Sequence, residues 1–325
     1  MREAVAADYL RRQKLKVGPD QIQIVPGGKV IILFACLMFG EEGAEILYPN
    51  PGFFTYESAI AFTGADPVPY SLLEKNAFAF DADEVLSRIT PKTRLLILNS
   101  PANPTGGVVP RAQMDRLAKG LEKFPKVAVL SDEIYGRILY DGREHVSMLG
   151  YESLRDRVII LDGWSKTYAM TGWRLGFGIW PKALVQKADG IAINCHSCVN
   201  APAQYAGIAA LEGPQDSVTR MVAEFDKRRR AIVAGINAIP GLTCLAPGGA
   251  FYAFPNITGT GLTSKEMESK LLNEAGIAAV SGASFGRYGE GYLRFSYANS
   301  MENIEEALRR LAECLSSDGK KAISA

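Results

Sequence analysis

The chain has 325 residues, of which 47% are hydrophobic and 22% charged, with a formal net charge of +1. That length exceeds the size at which a single core stops growing, so two domains are expected. The near-zero charge gives no reason to expect nucleic acid or an acidic membrane surface as partner.

The opening Met1-Arg2-Glu3-Ala4-Val5-Ala6-Ala7-Asp8-Tyr9 has no signal-peptide h-region. The first candidate strand is 21–25. After Gly27-Gly28-Lys29 comes the longest apolar run, 30–39, which reads as a buried helix and falls far short of the ~20 residues that span a bilayer. Further strands are expected at 45–48, 67–70, 95–98, 127–130, 158–161 and 175–179. Most are continuous apolar runs, as strands covered on both faces should be. Between them lie helical patterns such as 112–124, where Met114, Leu117, Ala118 and Leu121 recur at helical spacing. Alternating strand and helix predicts an α/β domain with a mostly parallel sheet and helices on both faces.

Cys195-His196-Ser197-Cys198 contains a C-x-x-C, but no second ligand pair accompanies it and the chain has only two histidines. These cysteines read as small buried or interface residues. The five cysteines are scattered, which argues for a reducing compartment, and a cytoplasmic location is expected.

The pattern changes near residue 225. A helix is expected over 223–238, with Lys227-Arg228-Arg229-Arg230 as a solvated face. Thr263-x-x-Glu266 reads as a capping box opening a helix that stops at Gly276. Ile304, Ala307, Leu308, Leu311 and Leu315 line one face of a last helix. The expected division is residues 1–225 for a large domain and 226–325 for a smaller α+β domain.

Chemistry-bearing residues gather just past the strands. Asn99 to Gly106 follows 95–98. Asp132 and Tyr135 follow 127–130. Gly163 to Lys166 follows 158–161. Ligands of open α/β sheets bind outside the carboxyl ends of the strands, so three strand ends should deliver amide, carboxylate, phenol and amine into one crevice.

These three segments and a fourth near the C-terminus carry a resemblance. Asn103-Pro104-Thr105-Gly106, Ser131-Asp132-Glu133-Ile134-Tyr135, Ser165-Lys166 with Arg174 downstream, and Arg294 in Tyr292-Leu293-Arg294-Phe295-Ser296-Tyr297 together resemble the class I/II aminotransferases. These are enzymes of pyridoxal 5'-phosphate (PLP) with the fold-type-I architecture, and the pattern is nearest their aspartate- and prephenate-type subgroup. The resemblance implies that Lys166 holds PLP as a Schiff base and later moves a proton at the substrate Cα. It implies that Asp132 pairs with the pyridine nitrogen, and that Tyr135 and Asn103 donate to the phenolic oxygen. From the residues alone, a helix N-cap is the lesser alternative for Asp132. Gly28, Lys29, Gly163, Ser165 and Arg174 match the phosphate cup. Phe53 matches the aromatic stacked on the ring, with Phe54 as rival. Arg294 resembles the arginine that binds the substrate α-carboxylate, again with Asn103 nearby. In that subgroup a lysine at the position of Lys29 can also face the distal carboxylate of an acidic substrate.

The expected reaction moves an amino group from an L-amino acid, aspartate or another acidic donor, to a 2-oxo acid such as 2-oxoglutarate. A PLP-dependent carbon–sulfur β-lyase would share every one of these motifs, and a non-catalytic PLP-binding paralogue is the third reading. The resemblance also implies a homodimer with active sites at the subunit interface, where 194–202 reaches toward the neighbouring site. Family members usually carry an N-terminal arm before the helix in which this sequence opens, so that segment is expected to be missing. No metal is expected.

Overall fold

The computed structural model describes residues 1–322, with side chains through Ser316. In chain order it forms α1 (Arg2–Gln13), β1 (Ile22–Val25), α2 (Lys29–Phe39), β2 (Glu45–Asn50), α3 (Thr55–Phe62), β3 (Asp66–Ser71), α4 (Ala82–Ser87), β4 (Thr93–Asn99), α5 (Arg111–Leu121), β5 (Ala128–Asp132), β6 (Val158–Gly163), α6 (Trp164–Thr167), β7 (Gly176–Ile179), α7 (Lys182–Cys195) and α8 (Ala201–Glu212). Then follow α9 (Asp216–Asn237), β8 (Tyr252–Ala253), α10 (Ser264–Ala275), β9 (Val280–Ser281), β10 (Leu293–Ser296) and α11 (Met301–Ala322).

Seven strands form one sheet in the order β1-β7-β6-β5-β4-β2-β3. The pairs β2–β3, β2–β4, β4–β5 and β5–β6 are parallel, and β7 runs against both of its neighbours. Each expected strand of this domain is present within a residue or two of its bounds. The continuous apolar runs are explained by the two faces. Leu95, Ile97, Leu130, Ile159 and Leu161 pack with Ile31, Phe34, Tyr56 and Ile60 of α2 and α3. Leu96, Leu98, Val129 and Ile160 pack on the other face with Val5 and Tyr9 of α1 and Met114, Leu117 and Leu121 of α5. Successive side chains of a strand alternate in direction, so burial of both faces demands an unbroken run.

A second core joins Phe225, Ile232, Ile236, Leu271, Leu293, Phe295, Ile304 and Leu311 with Ile138 and Tyr140. It carries the small antiparallel sheet β8-β10-β9. The capping box forms as expected: the Thr263 hydroxyl accepts from the Glu266 N–H, the Glu266 carboxylate accepts from the Thr263 N–H at 2.9 Å, and Gly276 closes α10 at φ 63°.

Two expectations need correction. Helix α9 begins at Asp216 rather than near 223 and runs unbroken through residue 225, because Val218, Phe225, Ile232 and Ile236 form one buried stripe. The basic run on it is not wholly solvated. Arg229 is 3% exposed, grips Asp141 through two nitrogens at 2.8 and 2.7 Å, and lies 4.7 Å from the Tyr140 ring. It ties α9 to the segment after β5. Lys227 and Arg230 do face solvent. Cys195 and Cys198 are exposed on this chain, whereas Cys36, Cys244 and Cys314 are buried.

Candidate active site

The ends of β4, β5 and β6 lie side by side, with Asn99 opposite Asp132 and Asp132 opposite Leu161 in the parallel register. A cavity of about 400 Å³ opens there. Gly28, Lys29, Phe53, Asn103, Asp132, Tyr135, Ser165, Lys166, Arg174 and Arg294 all line it. The structure therefore brings together every expected site residue but one. Gly163 is not on the cavity wall; it is buried and pairs with Gly176 in the β6–β7 ladder. A larger groove of about 680 Å³ lies between α1 and α7, lined by Arg2, Asp20, Asp189 and His196. It lacks the convergence of amine, carboxylate, phenol and guanidinium, so chemistry and not volume selects the site.

Asp132 is the last residue of β5 and 5% exposed. One carboxylate oxygen accepts from the Tyr56 hydroxyl at 2.7 Å and the other from the Ile134 N–H at 3.2 Å. The second bond gives the N-cap reading its substance, but the residues that follow form turns rather than a helix. Burial pushes the Asp132 carboxyl up to about 6, adjacent Glu133 adds to the rise, and the two hydrogen bonds and Lys166 oppose it. Among the described residues no cation lies within ion-pair distance of Asp132.

Lys166 sits in the single turn α6 directly after β6. Its amine lies 5.9 Å from the Tyr135 ring centre and 5.5 Å from that of Phe251. Burial lowers its pKa below the usual lysine value, and the Arg294 charge lowers it further, against the pull of Asp132. A lysine held this way offers a neutral amine more readily.

On the far wall, β10 alternates. Leu293 and Phe295 enter the second core, so Arg294 between them faces the cavity. Its guanidinium is stacked between Tyr252 and Phe285, 4.7 and 4.8 Å from their ring centres. One nitrogen donates to the Asn103 side-chain oxygen at 3.0 Å, and Nε is buried with no partner. Asn103 is held by its own N–H, which donates to Asn99 Oδ1 at 2.9 Å. Its oxygen is engaged by Arg294, so its amide nitrogen remains as a donor.

The third wall is cationic. Gly28 caps α2 and Lys29 begins it, placing a helix N-terminus at the cavity. Gly27 stands at φ +97°, and a Cβ there would fall 2.3 Å from an Arg174 nitrogen. Only glycine lets that guanidinium come so close. The Lys29 amine lies 5.1 Å from the Phe53 ring centre and 5.7 Å from that of Phe54. Phe53 is partly buried against the core, whereas Phe54 is 55% exposed.

Four cations, Lys29, Lys166, Arg174 and Arg294, thus surround one buried carboxylate. Such a site calls for a ligand with several negative charges and one positive or protonated nitrogen. PLP fits on these observations: a phosphate for the α2 terminus and Arg174, a ring nitrogen for Asp132, an aldehyde for Lys166. Sequence reasoning placed Asn99 at the strand end but gave it no role, and it missed Tyr56 and Tyr252. Tyr56 lies in the first turn of α3, just after Phe53 and Phe54, and nothing in its local pattern marks the contact with Asp132.

The family profile described as aminotransferase class I and II matches residues 1–311. The chain is 37% identical to an aspartate aminotransferase of Pyrococcus abyssi over 97% of its own length and 81% of that protein's. It is equally 37% identical to an aromatic-amino-acid aminotransferase of Thermococcus litoralis, with the same coverage of each. The crystal structure of an aromatic aminotransferase from Pyrococcus horikoshii superposes with a TM-score of 0.94 at 36% identity, covering 98% of this chain and 86% of that one. The chain belongs to the class I and II aminotransferases and is a PLP-dependent aminotransferase of that family.

Proposed function

We propose that this aminotransferase takes its amino group from an acidic L-amino acid, aspartate foremost, and passes it to a 2-oxo acid such as 2-oxoglutarate. The observation that carries this reading is a pair of cations on one cavity, Arg294 and Lys29, neither of which forms an ion pair among the described residues. One cation suffices for an α-carboxylate; a second on the rim suits a distal one. The names of the relatives do not decide the donor, since aspartate and aromatic aminotransferases stand at the same identity.

Bound PLP supplies an electron sink for the charge that develops at the substrate Cα. The chain's residues do the rest. Arg294 would grip the α-carboxylate through Nε and a second nitrogen, a planar two-point bond that orients Cα. The Lys166 amine, lowered in pKa, would take the proton from Cα and return it at the other end of the exchange. Asp132 would hold a proton on the ring nitrogen, and that cationic partner would keep the carboxylate ionised despite its burial. Tyr135 and the Asn103 amide would donate to the phenolic oxygen. Phe53 would cover the ring face, while Gly28, Ser165 and Arg174 would hold the phosphate. Lys29 would meet the substrate's distal carboxylate.

A homodimer of a cytoplasmic enzyme completes the reading. Ile193 and Tyr205, 66% and 75% exposed on either side of 196–200, support an interface there. No helix among the described residues is long and apolar enough to cross a membrane.

The test is a panel of donors, aspartate, glutamate, alanine and phenylalanine, read by the absorbance change of the bound cofactor, on wild type and Lys29→Ala. Loss of a charge-assisted hydrogen bond should weaken the dicarboxylic donors by roughly 10- to 100-fold and spare the others. Equal losses for all four donors would refute the acidic-substrate reading.

A further inference from the structure

Tyr252 reaches the cavity from β8, and two independent contacts converge on it. Its hydroxyl lies 2.8 Å from the Tyr135 hydroxyl, and either oxygen can be the donor. Its ring face carries the Arg294 guanidinium at 4.7 Å. It is 6% exposed and touches both the residue beside the cofactor's phenolic oxygen and the residue meant for the substrate carboxylate.

The placement is built, not incidental. Gly106, at φ +68°, closes the Asn103 turn against the segment leading to Tyr252. The N–H groups of Gly248 and Gly249 donate to the Gly106 carbonyl at 2.9 and 3.0 Å. A Cβ on Gly106 would fall 2.4 Å from Pro247 Cβ and 3.0 Å from the Tyr252 carbonyl. The turn that presents Asn103 therefore also locks the segment that presents Tyr252.

We propose that Tyr252 is a positioning residue of this active site: its hydroxyl donates to Tyr135, aiming the Tyr135 proton at the cofactor's phenolic oxygen, while its ring supports Arg294. The inference rests on the aminotransferase reading of the cavity. A phenol that accepts one hydrogen bond becomes a better donor of its own proton. Burial raises the pKa of both phenols, so both keep their protons through the neutral range; the bond between them can run in either sense, and it runs from Tyr252 to Tyr135 once the Tyr135 hydroxyl donates to the phenolic oxygen. The ring beneath Arg294 fixes the plane of the guanidinium, which a two-point bond to carboxylate requires.

Two variants separate the halves. Tyr252→Phe keeps the ring and removes the hydroxyl. With PLP bound, the pH titration of cofactor absorbance should shift upward by roughly 0.2–0.5 of a unit, since Tyr135 keeps its bond to the phenolic oxygen but loses the strengthening and aim that Tyr252 gives it. The Michaelis constant for the best donor of the panel should stay within about twofold. Tyr252→Leu should show the same upward shift and, with the ring gone, a Michaelis constant raised roughly two- to tenfold further. An unmoved or downward titration in Tyr252→Phe would overturn the donor role, a downward one by showing that Tyr252 competes for the Tyr135 proton. Equal Michaelis constants in the two variants would overturn the support of Arg294. Tyr135→Phe is the reference. It should shift the titration at least as far, and if it does not, the assignment of Tyr135 fails and the proposal with it. A wild type that develops no cofactor absorbance would instead strike at the PLP reading itself.

Discussion

Asp132 and Glu133 are neighbours at the end of β5, are 5% and 2% exposed, and serve opposite faces of the sheet. On the cavity face, Asp132 receives one phenol and one backbone N–H and no cation. On the other face, Glu133 accepts from Ser131, Ser147 and the Met148 N–H on one oxygen and meets His145 at 2.8 Å on the other. Asp162, at the end of β6, shares that second environment with Arg12 and His145. A carboxylate whose bonds are all made within the protein holds structure together. One left short of a counter-charge is free to meet a ligand.

The sharpest break of this comparison lies on the cavity face. Lys166→Ala should abolish turnover, a loss of roughly 10⁴-fold or more, while the fold persists. Borohydride reduction and peptide mapping check it, and pyridoxyl label on another lysine would overturn the assignment. Asp132→Ala should lower the rate by roughly 10²–10⁴-fold while cofactor occupancy changes far less. Rate and bound PLP measured on the same sample decide this, and a mutant within twofold of wild type would refute it.

Across the cavity, Arg294→Lys should raise the Michaelis constant by roughly 10- to 100-fold, since an ammonium cannot reproduce the planar fork. Steady-state kinetics with the best donor would show it. Glu133→Ala should reverse the pattern: turnover per folded molecule nearly unchanged, but stability lower by about 3 kcal/mol, because Ser131, Ser147, the Met148 N–H and His145 lose their acceptor. Urea unfolding read beside activity tests it; a large loss of rate at full stability would erase the distinction between the faces.

The last expectation concerns pH. Burial pushes the Asp162 carboxyl up from 3.8 to about 7. Its folded pKa lies above the unfolded one, so the folded state holds the extra proton, and stability falls as pH rises from about 4 through about 7. Burial would lower the His145 pKa, but the Glu133 carboxylate outweighs it and raises the pKa. His145 stabilisation is thus full below its unfolded value and lost as pH climbs through the folded one. Urea midpoints between pH 5 and 8 should decline, and Asp162→Asn should flatten the slope by about one proton. An identical slope in the mutant would remove Asp162 from the account.

The strands of the large sheet were legible because burial on two faces leaves a local mark: Leu95 to Leu98 are all at or below 1% exposure. The residues just past those strands followed from the same logic, and Asp132, Tyr135 and Lys166 do line one cavity. Arg294 could be read from its apolar flanks, because a strand alternates. The start of α9 was placed too late although Val218, Met221, Val222 and Phe225 already recur at helical spacing, the last three of them in or against the second core. Arg229 was misread because its partner Asp141 lies 88 residues away.

What the sequence by itself determined is therefore what local chemistry records: the α/β order, the strand ends that carry function, and motifs specific enough to imply PLP and its lysine. The tertiary structure alone decided which groups meet across long separations. Tyr56 found Asp132 76 residues on, and Tyr252 found Tyr135 117 residues back. It also decided what surrounds each of two adjacent carboxylates: a phenol and an N–H at Asp132, two hydroxyls, an N–H and His145 at Glu133. A hydrogen bond across such distances depends on how sheet, helix and loop pack, and no spacing along the chain encodes it.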